Sequence, residues 1–181
     1  MPLFLIGYMG SGKSTLGRGI AAALGWRFID TDKEIERREG LSVSEIFATL
    51  GEKAFRKMEH DLIASISPDE QAVVSTGGGA PCHFDNMERM NRTGLTVRLE
   101  CCRERLVRRL AEAGGVRPMF ADIATDPAAI DRRVDSLSAE REPFYAQAAA
   151  TFDSSRLESS EETDSTVAKF ISRFANPSHN E

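Results

Sequence analysis

Residues 7–14 combine the residue types and the spacing that bind phosphate groups. Their sequence, GYMGSGKS, fits the pattern G-x-x-x-x-G-K-S and directly follows the apolar run 3–6. In this pattern the glycines let backbone N–H groups point into one concavity, and the start of the following helix adds positive charge where phosphate oxygens bind. Lys13 then reaches the outer phosphates, and the hydroxyl of Ser14 is placed to ligate Mg²⁺. A glycine-rich turn that binds nothing is the alternative, but the predicted strand before the motif and the predicted helix after it favour a phosphate-binding loop, or P-loop.

Two carboxylates, Asp30 and Asp32, follow the second short apolar segment, residues 27–29. The carboxyl end of a strand is where an open α/β sheet binds its ligands. The alternative is that both acids merely favour the start of a helix, where Thr31 and Glu34 match a capping-box pattern. We favour a functional role because a P-loop kinase needs an acidic group near Mg²⁺.

Three consecutive glycines, Gly77, Gly78 and Gly79, follow the predicted strand 72–75. An ATPase motor or regulatory module would normally have an aspartate at the end of this strand, and here it is missing. Glycines remove every side chain at the strand end, so backbone N–H groups can approach a bound ligand closely. We therefore predict that this segment lines a ligand site.

Two arginines are candidates for binding an anionic substrate. Arg56 lies beside the apolar stripe of its predicted helix, and its alternative role is an ion pair with Glu59, worth only roughly a few tenths of a kcal/mol. Arg141 continues the apolar stripe of a later helix, which would direct it inward, whereas a long side chain at a helix end can also extend to solvent. Both interpretations of Arg141 stay open at this point. Together with Asp32, inward-facing arginines indicate a small acceptor that carries a carboxylate and hydroxyls.

The segment 113–126 interrupts the alternation of strands and helices. It contains paired glycines, Gly114 and Gly115, then Arg117, and then two large apolar side chains. Such a composition is typical of a lid that brings a guanidinium to bound phosphates and excludes water. A plain surface loop is the alternative, and the presence of a P-loop is what favours the lid.

Strand and helix patterns alternate along the chain, which predicts a parallel sheet with helices on both faces. We expect an α/β fold: a three-layer sandwich with a five-stranded parallel sheet flanked by helices, which is a P-loop NTPase fold with a lid. One domain is expected over residues 1–181, with a frayed tail at 176–181. The predicted strands cover residues 3–6, 27–29, 72–75, 96–99 and 148–152, and the predicted helices begin near residues 14, 31, 42, 52, 84, 104, 127 and 159.

The composition argues against several other functions. A net charge of −5 over 181 residues disfavours a nucleic-acid-binding surface. The three cysteines are odd in number and two are adjacent, which disfavours a disulfide framework. No apolar stretch is long enough to span a membrane and no secretion signal is recognisable, so we expect a cytoplasmic protein without a membrane partner. An acidic domain of this size is expected to be a monomer.

Several motifs occur together in one order along the chain. They are the P-loop with Thr15, Asp30-Thr31-Asp32, Phe55-Arg56 with Glu59, Thr76-Gly77-Gly78-Gly79, Val116-Arg117-Pro118, and Arg141 followed by Pro143 and Tyr145. With these motifs the chain resembles the shikimate kinase family over about residues 3–174. The resemblance implies transfer of the γ-phosphoryl group of ATP to the 3-hydroxyl of shikimate, a step in chorismate and aromatic amino-acid biosynthesis. A gluconate kinase and a non-catalytic nucleotide-binding module are the alternatives.

The resemblance also implies a role for each matching residue. Shikimate and ATP would be the small-molecule substrates, with Mg²⁺ as cofactor. ATP would contact Gly10, Ser11, Gly12, Lys13, Ser14, Thr15 and Arg117, and Mg²⁺ would bind Ser14 directly and Asp30 through water. Shikimate would contact Asp32, Arg56, Gly77, Gly78, Gly79 and Arg141, with the two arginines on its carboxylate. The implied catalytic residues are Lys13, Asp32 and Arg117, with Asp32 as a candidate base. The resemblance leaves open whether Arg108 or Arg109 stacks on adenine.

Overall fold

The central sheet has the predicted parallel arrangement in the computed structural model, which describes residues 1–112 and 126–175. The strands are β1 Leu3–Gly7, β2 Arg27–Asp30, β3 Ala72–Ser75, β4 Leu95–Glu100 and β5 Ala150–Asp153. They stand in the order β2-β3-β1-β4-β5, and every neighbouring pair is parallel. β1 is buried along its whole length, as expected for the central strand of a sheet that is covered on both faces.

Helices cover both faces of the sheet, which confirms the predicted three-layer sandwich. The helices within the described residues are α1 Lys13–Leu24, α2 Thr31–Glu39, α3 Val43–Thr49, α4 Glu52–Ala64, α5 Asn86–Thr93, α6 Arg103–Glu112, α7 Pro127–Tyr145 and α8 Ser160–Phe174, with a short 3-10 helix at Ala80–Cys82. Leu3 and Leu5 of β1 pack with α1 and α8 on one face. Phe4 and Ile6 pack with α4, α5, α6 and α7 on the other face. The two-residue alternation of side chains in β1 thus divides the core between the two outer layers.

The element boundaries lie within two residues of the prediction, and the larger shifts have visible causes. α5 begins two residues late because Phe84 has a φ of 52°, which a right-handed helix does not accommodate. β5 begins at Ala150 because the preceding backbone closes the end of α7, where the N–H of Ala148 donates to the carbonyl of Tyr145. α1 ends at Gly25, a C-cap with a left-handed φ of 67°.

The start of α2 differs from the prediction, whereas α3 begins with a capping box formed by Ser42 and Glu45. The capping box predicted for Thr31 and Glu34 is wrong. Asp30 caps α2 instead, and its side chain accepts a hydrogen bond from the N–H of Lys33. Thr31 is already the first helical residue, so its hydroxyl is available to the neighbouring strand end, where it accepts a hydrogen bond from the N–H of Gly77.

Two predicted segments lie largely outside the described residues. They are the lid at 113–126, which carries Arg117, and the tail at 176–181. The last residue of the predicted lid, Asp126, is described and caps the N-terminus of α7. No helix within the described part of the chain is long and apolar enough to cross a membrane. The three cysteines, Cys82, Cys101 and Cys102, are free thiols.

Candidate active site

The loop between β1 and α1 has the backbone geometry of a P-loop. Gly12 caps α1 with a φ of 90°, a left-handed conformation that glycine adopts readily, and a Cβ at this position would collide with Leu157. The side chain of Lys13 is buried, and its Nζ donates hydrogen bonds to the carbonyl oxygens of Gly7 at 2.7 Å and Tyr8 at 2.8 Å. These bonds hold the ammonium group against the loop that is expected to bind phosphate.

Ser14 and Asp30, the two residues predicted to hold a metal ion, are in contact. The Oγ of Ser14 donates a hydrogen bond to Oδ2 of Asp30 at 2.6 Å and lies 3.3 Å from the Oγ of Ser75. Hydroxyl and carboxylate oxygens are hard donors, and Mg²⁺ usually takes one or two protein ligands together with phosphate oxygens and water. The donor set at the start of α1 and the end of β2 therefore fits Mg²⁺.

A cleft of about 750 Å³ extends from the P-loop along the carboxyl edge of the sheet. Most of the predicted site residues line it: Gly10, Gly12, Lys13, Ser14, Thr15, Asp30, Asp32, Gly77 and Gly78. Ser11, also predicted to contact ATP, is buried and is not among the lining residues, nor are Gly79, Arg56 and Arg141. The residues predicted to bind the nucleotide and the metal therefore share one cleft, whereas the two arginines lie outside its lining, against the glycines.

The three glycines at 77–79, here called the glycine run, lie against the charged groups predicted to hold the acceptor. A Cβ on the third glycine would stand 2.7 Å from both Nη atoms of Arg56, and one on the second would stand 3.2 Å from Nη1 of Arg141. On the first glycine, a Cβ would stand 2.8 Å from Oδ1 of Asp32. Glycine is required for such close approaches. Three predicted acceptor-binding side chains therefore converge on one short backbone segment.

Arg56 is buried beside two aromatic rings and held by two carboxylates. Its guanidinium carbon lies 5.8 Å from the ring centre of Phe47 and 5.5 Å from that of Phe55. Nη1 donates to Glu59 at 2.7 Å, and Nε and Nη2 donate to Glu52 at 3.1 Å and 3.0 Å. The ion pair with Glu59 that the sequence suggested is present, but it is no weak surface pair, because Glu59 is fully buried. These contacts fix the guanidinium beside the glycine run.

The carboxyl group of Glu59 has an unusual electrostatic environment. Burial raises its pKa to about 7, Asp32 adds to this effect, and Arg56 opposes it. One oxygen, Oε2, accepts the hydrogen bond from Arg56. The other, Oε1, is buried, has no hydrogen-bond partner among the described residues and lies against Gly77. From the sequence, Glu59 was expected only to pair with Arg56, whereas the structure places it among the groups that surround the glycine run.

Arg141 is buried, which confirms the inward orientation and excludes the extended, solvent-exposed one. Its guanidinium carbon lies 5.3 Å from the centre of the Tyr8 ring. One helical turn further along α7, the hydroxyl of Tyr145 donates to the carbonyl oxygen of Gly78 at 2.6 Å. Burial raises the pKa of Tyr145 to about 12, so the phenol remains a hydrogen-bond donor at neutral pH. The end of α7 thus contacts the glycine run through two side chains.

The structure distinguishes the two arginines considered for adenine. Arg109 lines the cleft at its P-loop end, where Nη1 donates to the carbonyl of Gly10 at 3.1 Å and Nη2 to that of Ser155 at 2.9 Å. Arg108 is exposed and pairs with Glu158. Adjacent positions on a helix point about 100° apart, and the sequence carried no signal to decide which of the two faces the loop.

Comparison with known proteins identifies the family. The family model for shikimate kinase matches residues 9–173. The chain belongs to the shikimate kinase family. The shikimate kinases of Parabacteroides distasonis and Bacteroides thetaiotaomicron are 41% and 42% identical to this chain, over 86% and 92% of its length and 88% and 94% of theirs.

Solved structures of shikimate kinases share the fold of this kinase. The crystal structure from Bacteroides thetaiotaomicron matches it with a TM-score of 0.90 at 39% identity, over 97% of this chain and 99% of that one. A shikimate kinase from Acinetobacter baumannii, solved in complex with shikimate, matches with a TM-score of 0.82 at 28% identity, over 96% and 92%. The predicted P-loop NTPase fold is confirmed, and the protein is an ATP-dependent kinase.

Proposed function

We propose that this kinase transfers the γ-phosphoryl group of ATP to the 3-hydroxyl of shikimate. The observation that carries the proposal is the convergence of Arg56, Arg141 and Asp32 on the glycine run at the end of the nucleotide cleft. Guanidinium groups suit a carboxylate, and a carboxylate accepts hydrogen bonds from hydroxyls, so the set matches a small acid with several hydroxyl groups. The related kinase that was solved with shikimate supports the same acceptor.

The nucleotide would occupy the P-loop end of the cleft. Phosphate oxygens would bind the backbone N–H groups of residues 10–15 and the ammonium of Lys13, which would exchange its carbonyl partners for them. Ser14 would ligate Mg²⁺ directly and Asp30 through water, and the metal would neutralise charge on the phosphates. Arg109 is our candidate for the adenine contact because it lies beside the P-loop. Arg117 is proposed as the lid arginine on the family resemblance alone.

Asp32 would position the acceptor. It lines the cleft close to the metal-binding pair and lies beside the first residue of the glycine run. Phosphoryl transfer depends mainly on in-line alignment of the reacting oxygen and on neutralisation of charge. Asp32 would accept a hydrogen bond from the 3-hydroxyl and take up its proton as the new oxygen–phosphorus bond forms. Arg56 and Arg141 would hold the carboxylate at the other end of the molecule and so fix its direction.

A coupled assay for ADP release tests this proposal with three acceptor conditions: shikimate, gluconate and none. Release that depends on shikimate is expected, and it should be lost in Asp32→Asn while circular dichroism shows an unchanged fold. Release that depends on gluconate would contradict the proposal and favour a gluconate kinase. ATP binding without turnover on either acceptor would favour a non-catalytic module. The proposal also includes a single-domain monomer in the cytoplasm, and sedimentation velocity tests the monomer.

A further inference from the structure

Arg98 belongs to none of the residue sets assigned above, yet it contacts the helix that carries Arg141. It lies on β4, where it is in register with Ile6 of β1, immediately before the P-loop. Nη1 and Nη2 donate to the two carboxylate oxygens of Glu142 at 2.7 Å and 2.9 Å. The guanidinium carbon also lies 5.7 Å from the ring centre of Tyr145. A bidentate pair of this kind fixes orientation as well as distance.

The last turns of α7 lack one backbone hydrogen bond and border a cavity on one side. Pro143 lies inside the helix, so no N–H is present to bond the carbonyl of residue 139. A cavity of about 510 Å³ lies between this part of α7 and the ends of β4 and β5, and Ser138, Glu142 and Tyr145 line it on the helix side. Tyr145 packs in the core, whereas the side of the helix that carries Ser138 and Glu142 borders the cavity. On that side the bridge from Arg98 connects the helix to β4.

Two residues of α7 that lie next to the bridge, Arg141 and Tyr145, contact the glycine run. Arg141 directly precedes Glu142 and faces Gly78, and Tyr145 donates its hydroxyl to the carbonyl of Gly78. A rotation of this turn would move both contacts together. We infer that Arg98 is a positioning residue for the acceptor: its bridge to Glu142 sets the rotation of the end of α7 and with it the place of the Arg141 guanidinium. The inference rests on the proposed function of the site.

Two variants and their combination test the bridge. Arg98→Met keeps most of the side-chain stem, and Glu142→Gln keeps the shape of an exposed side chain, so each removes the ion pair with little change in packing. Each should raise the KM for shikimate by about 3–10-fold, and the double variant should be no worse than the more impaired single, because one shared interaction is lost. The KM for ATP and the kcat should stay within about twofold of the wild-type values. The guanidinium groups proposed to hold the carboxylate of shikimate act equally in the ground state and the transition state. Arg98→Lys should restore only part of the loss, because an ammonium group cannot form the bidentate pair.

Arg103→Met is the matched control. Arg103 also bridges to α7, but it pairs with Asp131 and Asp135, nearer the start of the helix. Arg103→Met should lower the thermal stability about as much as Arg98→Met does, and it should leave the KM for shikimate unchanged. If Arg103→Met raised this KM as much as Arg98→Met does, or if neither Arg98→Met nor Glu142→Gln raised it in a kinase that phosphorylates shikimate, the inference would be overturned. A wild-type enzyme without turnover on shikimate would instead overturn the proposed function, and the inference with it.

Discussion

Replacing Gly79 with alanine tests whether the glycine run is needed to admit the guanidinium of Arg56. The new Cβ would stand 2.7 Å from both Nη atoms and 2.9 Å from Cζ, whereas ordinary contacts begin at 3.4 Å. The guanidinium would therefore have to move by several tenths of an ångström. It has little freedom to do so, because Glu59 and Glu52 hold it from two directions. The backbone itself tolerates the change, since Gly79 has a φ of −89°.

The expected effect is a loss of acceptor binding without a loss of nucleotide binding. Misplacing a substrate-positioning group by about 1 Å can cost roughly 100-fold, so we expect the KM for shikimate to rise by about 10–100-fold. This corresponds to roughly 1.4–2.7 kcal/mol of lost binding free energy. The KM for ATP should change by less than about twofold. Coupled ADP-release assays at varied shikimate and varied ATP measure both constants.

Two further variants isolate the cause of this effect. Gly25 has a φ of 67° and no described atom within 4 Å of the position of its Cβ, so Gly25→Ala strains the backbone at the end of α1, away from the site. It should lower the free energy of unfolding by about 1 kcal/mol and leave the KM for shikimate unchanged. In an Arg56→Ala background, Gly79→Ala should add little. An unchanged KM in Gly79→Ala, or full additivity with Arg56→Ala, would refute the reasoning.

Three other predictions concern single residues. Lys13→Met should abolish turnover while circular dichroism shows an intact fold, because the ammonium is expected to stabilise the transferring phosphoryl group. Arg109→Ala should raise the KM for ATP and leave that for shikimate unchanged, whereas Arg108→Ala should change neither; equal effects would contradict the assignment of Arg109. The pKa of Glu59 is raised from 4.5 to about 7 in the folded state, so the folded protein binds this proton more tightly than the unfolded chain does. The contribution of Glu59 to the free energy of unfolding should therefore fall by on the order of 3 kcal/mol as pH rises from about 4.5 to 7. Urea unfolding at pH 5 and pH 7.5 measures this decrease, and Glu59→Gln should make it smaller. An equal decrease in Glu59→Gln and in the wild type would show that the pKa of Glu59 is not raised.

The nucleotide end of the site could be predicted because local patterns encode it. A strand, a glycine turn and a helix start are contiguous in the chain, so the contact between Lys13 and the loop follows from residues at most six apart. The inward direction of Arg141 was available from its place on an apolar stripe. The signal for Glu59 was also present, because it stands on the same helical stripe as Phe55 and Leu62. A charged residue at such a position must be buried with a partner, which the stripe alone would have indicated.

Contacts between distant segments could not be predicted in this way. Thr31 matched a capping box, but the hydroxyl bonds Gly77, which is 46 residues away. The bridge from Arg98 to Glu142 joins residues 44 apart in sequence, and neither residue belongs to a motif. Side-chain periodicity assigns a residue to a face, whereas the partner on that face depends on how the elements pack. For this reason residues that position others were missed more often than those expected to contact ligands.

The absence of an aspartate at the end of β3 and the presence of the glycine run are two parts of one arrangement. With Ser75 at this strand end, the acid that contacts Ser14 is Asp30 on the neighbouring strand, and the backbone of the glycine run approaches the P-loop. A Cβ at Gly78 would stand 3.3 Å from the backbone nitrogen of Met9 and 3.2 Å from Arg141. Gly78 therefore lies between the P-loop on one side and Arg141, the proposed carboxylate ligand, on the other. Under the proposed function, these main-chain contacts, together with the Tyr8 ring against Arg141, would set the separation of the two substrates, which suits a reaction that depends on in-line placement.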